Sequence, residues 1–375
     1  MYPRAFIVTV ILAALLAPGL PQTLAAADSP LPEPFREDGR VGYRLPSGKI
    51  VVEPCYRHGE PFAGGVARVR LKDKWGLIDP TGKRIVEPRF DAIEPFEGKA
   101  ARVRLHGKWG FVDTDGQVLR EPVYDKAEPF HDGVSMVRRG GKVGYVHVSG
   151  AVVSEPVWDK GYPFRDGLAR VRQDDREGFI DKSGKPAIEL KYRKARDFSE
   201  GLAAVRTDAG WGFIDTEGRQ VIEPRFGHAE SFREGRAVVG DGGRMGFVDT
   251  EGRVVGELKW ESANPFSEGR ARVRKGGRFG FVNRDGELVV PAKYRHAEPF
   301  RDGSALVGLD GRFGLVGPDG EEIYPPAFDR VDPFQNGLAR VHRDGSVGLI
   351  DRKGELVCPV EFEHVDLPDS GPGRV

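Results

Sequence analysis

The residues of this sequence that could do chemistry come in rows. Arg70, Arg104, Arg138, Arg172, Arg206 and Arg274 occupy one position that recurs at a constant step, and His342 extends the row. A companion row, read as facing outward, holds Arg68, Arg102, Arg170, Arg272 and Arg340. Glutamates form two more: Glu53, Glu87, Glu121, Glu155, Glu189, Glu223 and Glu257, then Glu60, Glu94, Glu128, Glu230 and Glu298. If successive units stack, the arginines become basic stripes along one face, able to grip a polyanion or an acidic partner. The competing expectation is that they pair with the glutamates, in exposed pairs worth about 0–1 kcal/mol each. With 57 basic and 57 acidic side chains, the chain exerts no overall pull on nucleic acid or anionic membranes.

Other chemistry leaves fainter marks. None of the eight histidines forms the spaced helical pair of zinc hydrolases, and the two cysteines lack ligand spacing. Asp113-x-Asp115-Gly116 has the start of a calcium loop without its later ligands. There is no Gly-x-Ser-x-Gly elbow and no phosphate loop. Two glutamates could stand at glycosidase separation, but an active site is a singular constellation, and here charged residues are copied from unit to unit. The chain is expected to be no enzyme and to take no metal or cofactor. Cys55 and Cys358 sit at nearly the same place in the first and last units. A disulfide needs their Cα atoms within about 7 Å, so the two ends would have to meet.

The elements that must position these rows follow from the repeat. Gly42, Gly76, Gly110, Gly144, Gly178, Gly212, Gly246, Gly280, Gly314 and Gly348 recur with an unbroken period of 34, and a row from Phe62 to Phe334 keeps the same step. With 51 glycines and 28 prolines in 375 residues, the longest stretch after residue 27 free of both is Ala187–Glu200. Helical repeats are thereby excluded, because Gly and Pro cost about 1 and 3 kcal/mol inside helices. Ala101, Val103 and Leu105 alternate with arginines, as in a half-buried strand. His106-Gly107 predicts a tight hairpin to a second strand, Trp109–Asp113. Asp113-Thr114-Asp115-Gly116 predicts a type I turn to a third, Gln117–Glu121, stopped by Pro122. A connector with Tyr124 and Pro129-Phe130 leads to the next unit. In the first unit, Glu33–Gly39 resembles the connector and runs straight into Val41-Gly42, with the first strand missing. The recurring aromatics are expected to form core before any binding cage.

The fold expected is therefore all-β: tandem 34-residue repeats, each a short three-stranded antiparallel meander plus connector, stacked because none can bury a core alone. An open β-solenoid or superhelical array is favoured, and a closed propeller-like ring is the alternative; propellers hold 4–8 blades. Residues 28–367 hold about ten repeats, followed by a tail, 368–375. Met1–Ala27 has the form of a secretory signal: Arg4, an apolar run Ala5–Ala17, and Ala25-Ala26-Ala27 before the break. That run is too short for a membrane span, which takes about 20 residues.

Lys74-Trp75-Gly76-Leu77-Ile78-Asp79, Lys108-Trp109-Gly110-Phe111-Val112-Asp113 and Trp211-Gly212-Phe213-Ile214-Asp215, with trailing Glu-Pro pairs such as Glu87-Pro88 and Glu223-Pro224 and the Pro-Phe-x-x-Gly segments, resemble the WG-repeat (KWG-repeat) family. Seven registers replace the tryptophan, by Val41, Val143, Glu177, Met245, Phe279, Phe313 and Val347. The resemblance implies a β-rich, often exported repeat array with interaction roles and no catalytic site. The function expected is an exported scaffold, periplasmic or secreted, that binds an envelope protein. The alternative is a binder of cell wall or anionic glycan through the Arg stripes.

Overall fold

The computed structural model describes residues 30–367. The signal-like segment Met1–Ala27 and the tail 368–375 lie outside the described residues. All regular elements among the described residues are β-strands, and none of these residues forms a helix long and apolar enough to cross a membrane. The chain divides into two units, residues 1–93 with 114–116, and residues 94–113 with 117–375.

The first unit opens with a three-stranded antiparallel sheet, Glu33–Glu37, Arg40–Arg44 and Ile50–Tyr56. Glu33–Glu37 was expected to be connector, yet it pairs with Arg40–Arg44 from Glu33↔Arg44 to Glu37↔Arg40. Asp38 and Gly39, both at positive φ, make the turn between them. The next sheet has four strands: His58–Gly59, Ala67–Leu71, Lys74–Ile78 and Arg84–Phe90. Val41, Tyr43 and Tyr56 pack on Ala67, Val69 and Ile78, so the core lies between consecutive sheets.

In the second unit, seven four-stranded sheets follow one another from Lys126, each an antiparallel meander in chain order. The sheet Ser262–Ala263, Ala271–Lys275, Arg278–Val282, Leu288–Tyr294 shows how the sequence builds one. Its hairpin turns at Gly276 and Gly277, with φ of 58° and 71°, the twist that flanking strands need. At the next turn, the Asn283 side-chain oxygen accepts the backbone N–H groups of Asp285 and Glu287, at 3.0 and 2.9 Å. Ala271, Val273 and Val282 pack against Val238, Phe247 and Trp260 of the preceding sheet. Phe281, Val290 and Tyr294 pack against Ala297, Phe300 and Ala305 of the following one. Alternation thus serves two cores, one on each face.

Two details differ from the expected three-stranded meander. The start of each connector is a fourth strand; Ser262–Ala263 pairs through Ser262↔Arg274 and Ala263↔Val273. Two residues leave no alternation to read, and where the strand runs to six, at Lys126–His131 and Lys160–Arg165, a register shift at Pro129 or Pro163 breaks it. The third strand also runs through its Glu-Pro pair rather than stopping there. Phe279↔Tyr294 and Phe281↔Val290 enclose a bulge with Pro291 inside it, a place where a strand tolerates proline. The bulge explains the recurring glycine row. A Cβ on Gly280 would lie 2.4 Å from the Val290 carbonyl oxygen, and one on Gly212 would lie 2.4 Å from that of Ile222.

Aromatic pairs fasten neighbours. The second-strand ring meets the phenylalanine of the connector that follows, with centroids 4.7 Å apart for Phe179–Phe198, 4.9 Å for Phe213–Phe232, 5.0 Å for Phe247–Phe266 and 4.9 Å for Phe281–Phe300. Edge-to-face pairs at such distances are worth about 0.5–1.5 kcal/mol beyond their burial. The row from Phe62 to Phe334 is accordingly core or core edge, buried from Phe164 to Phe300 and half-buried at both ends.

Candidate functional site

Each arginine of the first row stands on the first strand of its hairpin, opposite the tryptophan position: Arg70↔Trp75, Arg104↔Trp109, Arg138↔Val143, Arg172↔Glu177, Arg206↔Trp211 and Arg274↔Phe279. Its other neighbour, across the unforeseen fourth strand, is the informative one. In three consecutive sheets of the second unit that neighbour is a lysine: Lys126↔Arg138, Lys160↔Arg172 and Lys194↔Arg206. Like charges directly opposite each other destabilise a sheet. The glutamate rows do little to neutralise the six. Lys126 reaches Glu128 at 2.5 Å, and Arg172 reaches Asp175. Among the described residues Arg138, Lys160, Lys194 and Arg206 have no ion pair.

Between the second and third of these sheets the stripe borders an open cleft of about 520 Å³, lined by Lys160, Arg172, Arg193, Lys194 and Arg196. Its back wall holds a buried charge cluster. Glu177, standing where other repeats have tryptophan, accepts the Ala195 N–H at 2.6 Å and an Arg170 Nη1 bond at 3.1 Å. Arg170 Nε donates to Asp197 at 2.8 Å, and its guanidinium lies 3.4 Å from the Tyr162 ring centroid. Burial works to lower the Arg170 pKa, but the bond to Asp197 and the charges of Asp197 and Glu177 outweigh it and raise the pKa above its ordinary value. Arg170 is thus held by two carboxylates, and the cations left open to the cleft are Lys160 and Lys194. Arg196 lies over Trp211, 5.7 Å from the ring centroid, so that ring holds an arginine.

The companion row was expected to face outward; the structure turns it to the neighbouring sheet. Arg68 Nη1 donates to the Ile93 carbonyl at 2.7 Å and Arg102 Nη1 to that of Ala127 at 2.9 Å, while Arg272 Nη1 bonds that of Ala297. Where Ala204 interrupts the row, Arg196 bonds the Ala229 carbonyl at 2.8 Å instead. Arg340 pairs with Asp332 at 3.1 Å. These side chains are half-buried, and those bonded to Ile93, Ala127, Ala229 and Ala297 tie repeats together, whereas Arg340 and Asp332 belong to one repeat.

A carboxylate ladder does the same, and sequence reading missed it. Glu200 accepts the backbone N–H groups of Glu234 and Gly235 at 2.6 and 2.8 Å. Glu234 takes those of Glu268 and Gly269, both at 2.7 Å, and Glu268 takes those of Asp302 and Gly303 at 2.7 and 2.8 Å. Each ladder residue is itself at positive φ in a tight turn, with φ of 56°, 54° and 52°. The acid-Gly step inside Pro-Phe-x-x-Gly was the available signal. The earlier glutamate row, Glu53 to Glu257, is exposed along the bulges.

Cys55 in the first unit and Cys358 in the second are half-buried free thiols. Among the described residues no three His, Cys, Asp or Glu side chains converge as a metal site.

No curated protein matches this chain. Solved structures with some likeness include one described as the crystal structure of the eukaryotic initiation factor, at 9% identity over 88% of this chain and 95% of that one, with a TM-score of 0.35. Hsv2p of Kluyveromyces lactis matches at 10% identity over 60% and 92%, TM-score 0.31. PorZ, a surface component of the type-IX secretion system of Porphyromonas gingivalis, matches at 10% over 88% and 62%, TM-score 0.24. None of these likenesses is close enough to carry weight. The family comparison is of another order, because the model of the WG-containing repeat matches nine times in tandem, at residues 46–75, 75–109, 109–142, 144–176, 178–209, 211–244, 245–279, 279–312 and 313–345. The chain belongs to the WG-repeat family.

Proposed function

We propose that this chain is an exported, non-catalytic scaffold of the bacterial cell envelope that holds a protein partner through the stripe Lys126/Arg138, Lys160/Arg172, Lys194/Arg206. The observation that carries this reading is the like-charge pairing in three successive sheets. It weakens the fold locally, whereas Arg102, Arg272 and Glu234, which also recur from repeat to repeat, bond neighbouring repeats. Exposed cations kept at a cost to stability are of use to an acidic partner. Export rests on Met1–Ala27, which has the three parts of a secretory signal. A second reading, an anionic glycan, draws on the cleft beside the stripe, whose lining is mostly cationic, and on sheet spacing of about 10 Å, which suits a linear polyanion.

The test is capture of envelope extract on the chain from Asp28 onward, eluted in steps of rising salt, beside the variant K160Q/R172Q/K194Q. A protein partner adds packed contacts to charge and is expected to survive high salt. An anionic glycan held by charge alone elutes at moderate salt. The variant is expected to lose the captured species; a variant that retains it, or a wild-type chain that captures nothing, refutes the stripe as a binding face.

A further inference from the structure

The second unit has another cationic recess, away from the stripe, where Arg233, Arg301 and Arg352 converge with Asn264 and Ser267 around a space of about 300 Å³. Arg352 is its unusual member. At two equivalent turns the residue is also a cation, and there it forms an ordinary exposed ion pair with an acid of an earlier repeat: Lys182 with Asp132 at 2.6 Å, and Arg284 with Glu234 at 2.9 Å. Those two cations are 47% and 56% exposed, whereas Arg352 is 13% exposed. It is tucked over Phe334, 4.1 Å from the ring centroid. Asp302 Oδ2 lies 3.1 Å from its Nε, but off the N–H direction, so that the buried Nε proton has no acceptor. A buried donor without a partner costs about 1–3 kcal/mol and calls for a ligand or a reason.

Burial makes the charge harder to hold. It pushes the Arg352 pKa below its ordinary value, and the nearby positive charge of Arg301 adds to the shift, while Asp302, Glu268 and Glu298 oppose it without cancelling it. Arg233 and Arg301 are exposed, and among the described residues neither has an ion pair. Asn264 turns its oxygen to Arg272 Nε at 3.1 Å, leaving its amide N–H groups to donate. One carboxylate, Glu298, also lines the recess, 3.7 Å from His296. Three guanidiniums against two carboxylates, Glu298 in the lining and Asp302 beside Arg352, leave a net positive recess with a stranded N–H in it, a donor set for oxygen anions, whose geometry the planar guanidinium fork matches.

We propose that this recess binds a small oxyanion, a phosphoryl or carboxylate group, with Arg352 as its buried anchor and Arg301 and Arg233 closing over it. The site is independent of the basic stripe and needs no catalytic step.

The test is calorimetric titration of the chain from Asp28 onward, at low salt, with inorganic phosphate and separately with succinate. One anion is expected to bind at a single site with Kd below about 10 mM. Tighter binding of phosphate assigns a phosphoryl ligand, and tighter binding of succinate a carboxylate. Arg301→Gln and Arg352→Lys should each weaken binding at least about tenfold, while Arg284→Gln, at the equivalent turn two repeats earlier, leaves it unchanged. If Arg352→Lys proves unfolded by circular dichroism, the exposed and unpaired Arg301 decides alone. Wild-type protein that takes up neither anion, or Arg301→Gln that binds as wild type, overturns the proposal.

Discussion

The sheets beginning at Lys126, Lys160 and Lys194 and those beginning at His228, Ser262 and His296 share one architecture and use their variable positions differently. At the position where the former set lysine against arginine, the latter set His228 against Gly240, Ser262 against Arg274 and His296 against Gly308. The carboxylate ladder is distributed the other way. It bonds paired backbone N–H groups from Glu200 through Glu234 and Glu268 to Asp302, whereas before it Asp166 bonds only Gly201, at 3.1 Å. Aromatic pairs and close-packed glycines run through both regions. One repeat can therefore keep a fixed set of fasteners while its remaining polar positions either present charge outward or reinforce the join to the next repeat.

The comparison breaks most visibly if the shared fasteners are not equivalent. Phe232→Ala and Phe164→Ala, one from each region, should each cost about 3–5 kcal/mol by denaturant unfolding; a negligible loss at either would deny a common core. Gly280→Ala should cost about 1–3 kcal/mol, because its Cβ meets backbone that cannot move aside. Gly276→Ala, where a Cβ would meet nothing within 4 Å, is the control for strain from positive φ alone.

Glu234→Gln sharpens the contrast further. Burial works to raise the Glu234 pKa, but the Arg284 bond and the N–H groups of Gly269 and Glu268 outweigh it and hold the pKa below the ordinary 4.5. The stabilisation is therefore complete above that value and lost as pH falls through the folded-state pKa. The variant should be about 1–2 kcal/mol less stable at neutral pH, with the gap closing in acid; a gap that persists at about pH 2–3, below the ordinary value, would mean that charge is not its source. The smallest effect belongs to the stripe. Lys160→Gln should leave stability unchanged or raise it by a few tenths of a kcal/mol, since it removes one of two opposed cations.

What the sequence disclosed follows from what repeats without interruption. The period, the alternation of Ala101 to Leu105, the turn acids and the aromatic core could all be read from residue types alone. The fourth strand could not: a pair such as Lys194-Ala195 shows no pattern and is defined only by pairing with Arg206 and Val205, and the six-residue versions are broken by the register shift at Pro129 or Pro163. With that strand hidden, the lysines opposite the arginine row were invisible, and the companion row seemed as outward-facing as its neighbour. Alternation puts Arg272 and Arg274 on one face but does not say that the carbonyl of Ala297 waits above the first. The Glu-Pro pair misled for a related reason: proline ends most strands, and only the bulged register shows why it does not end these.

The central claim is that the lysine–arginine stripe serves binding and contributes nothing to the fold. It is tested most directly by measuring the melting temperatures of wild type and of K160Q/R172Q/K194Q and running the salt-stepped capture on both. The account predicts a variant that melts no lower than wild type and no longer holds the species wild type retains. A variant that melts lower, or that holds the same species through the same salt step, would contradict it.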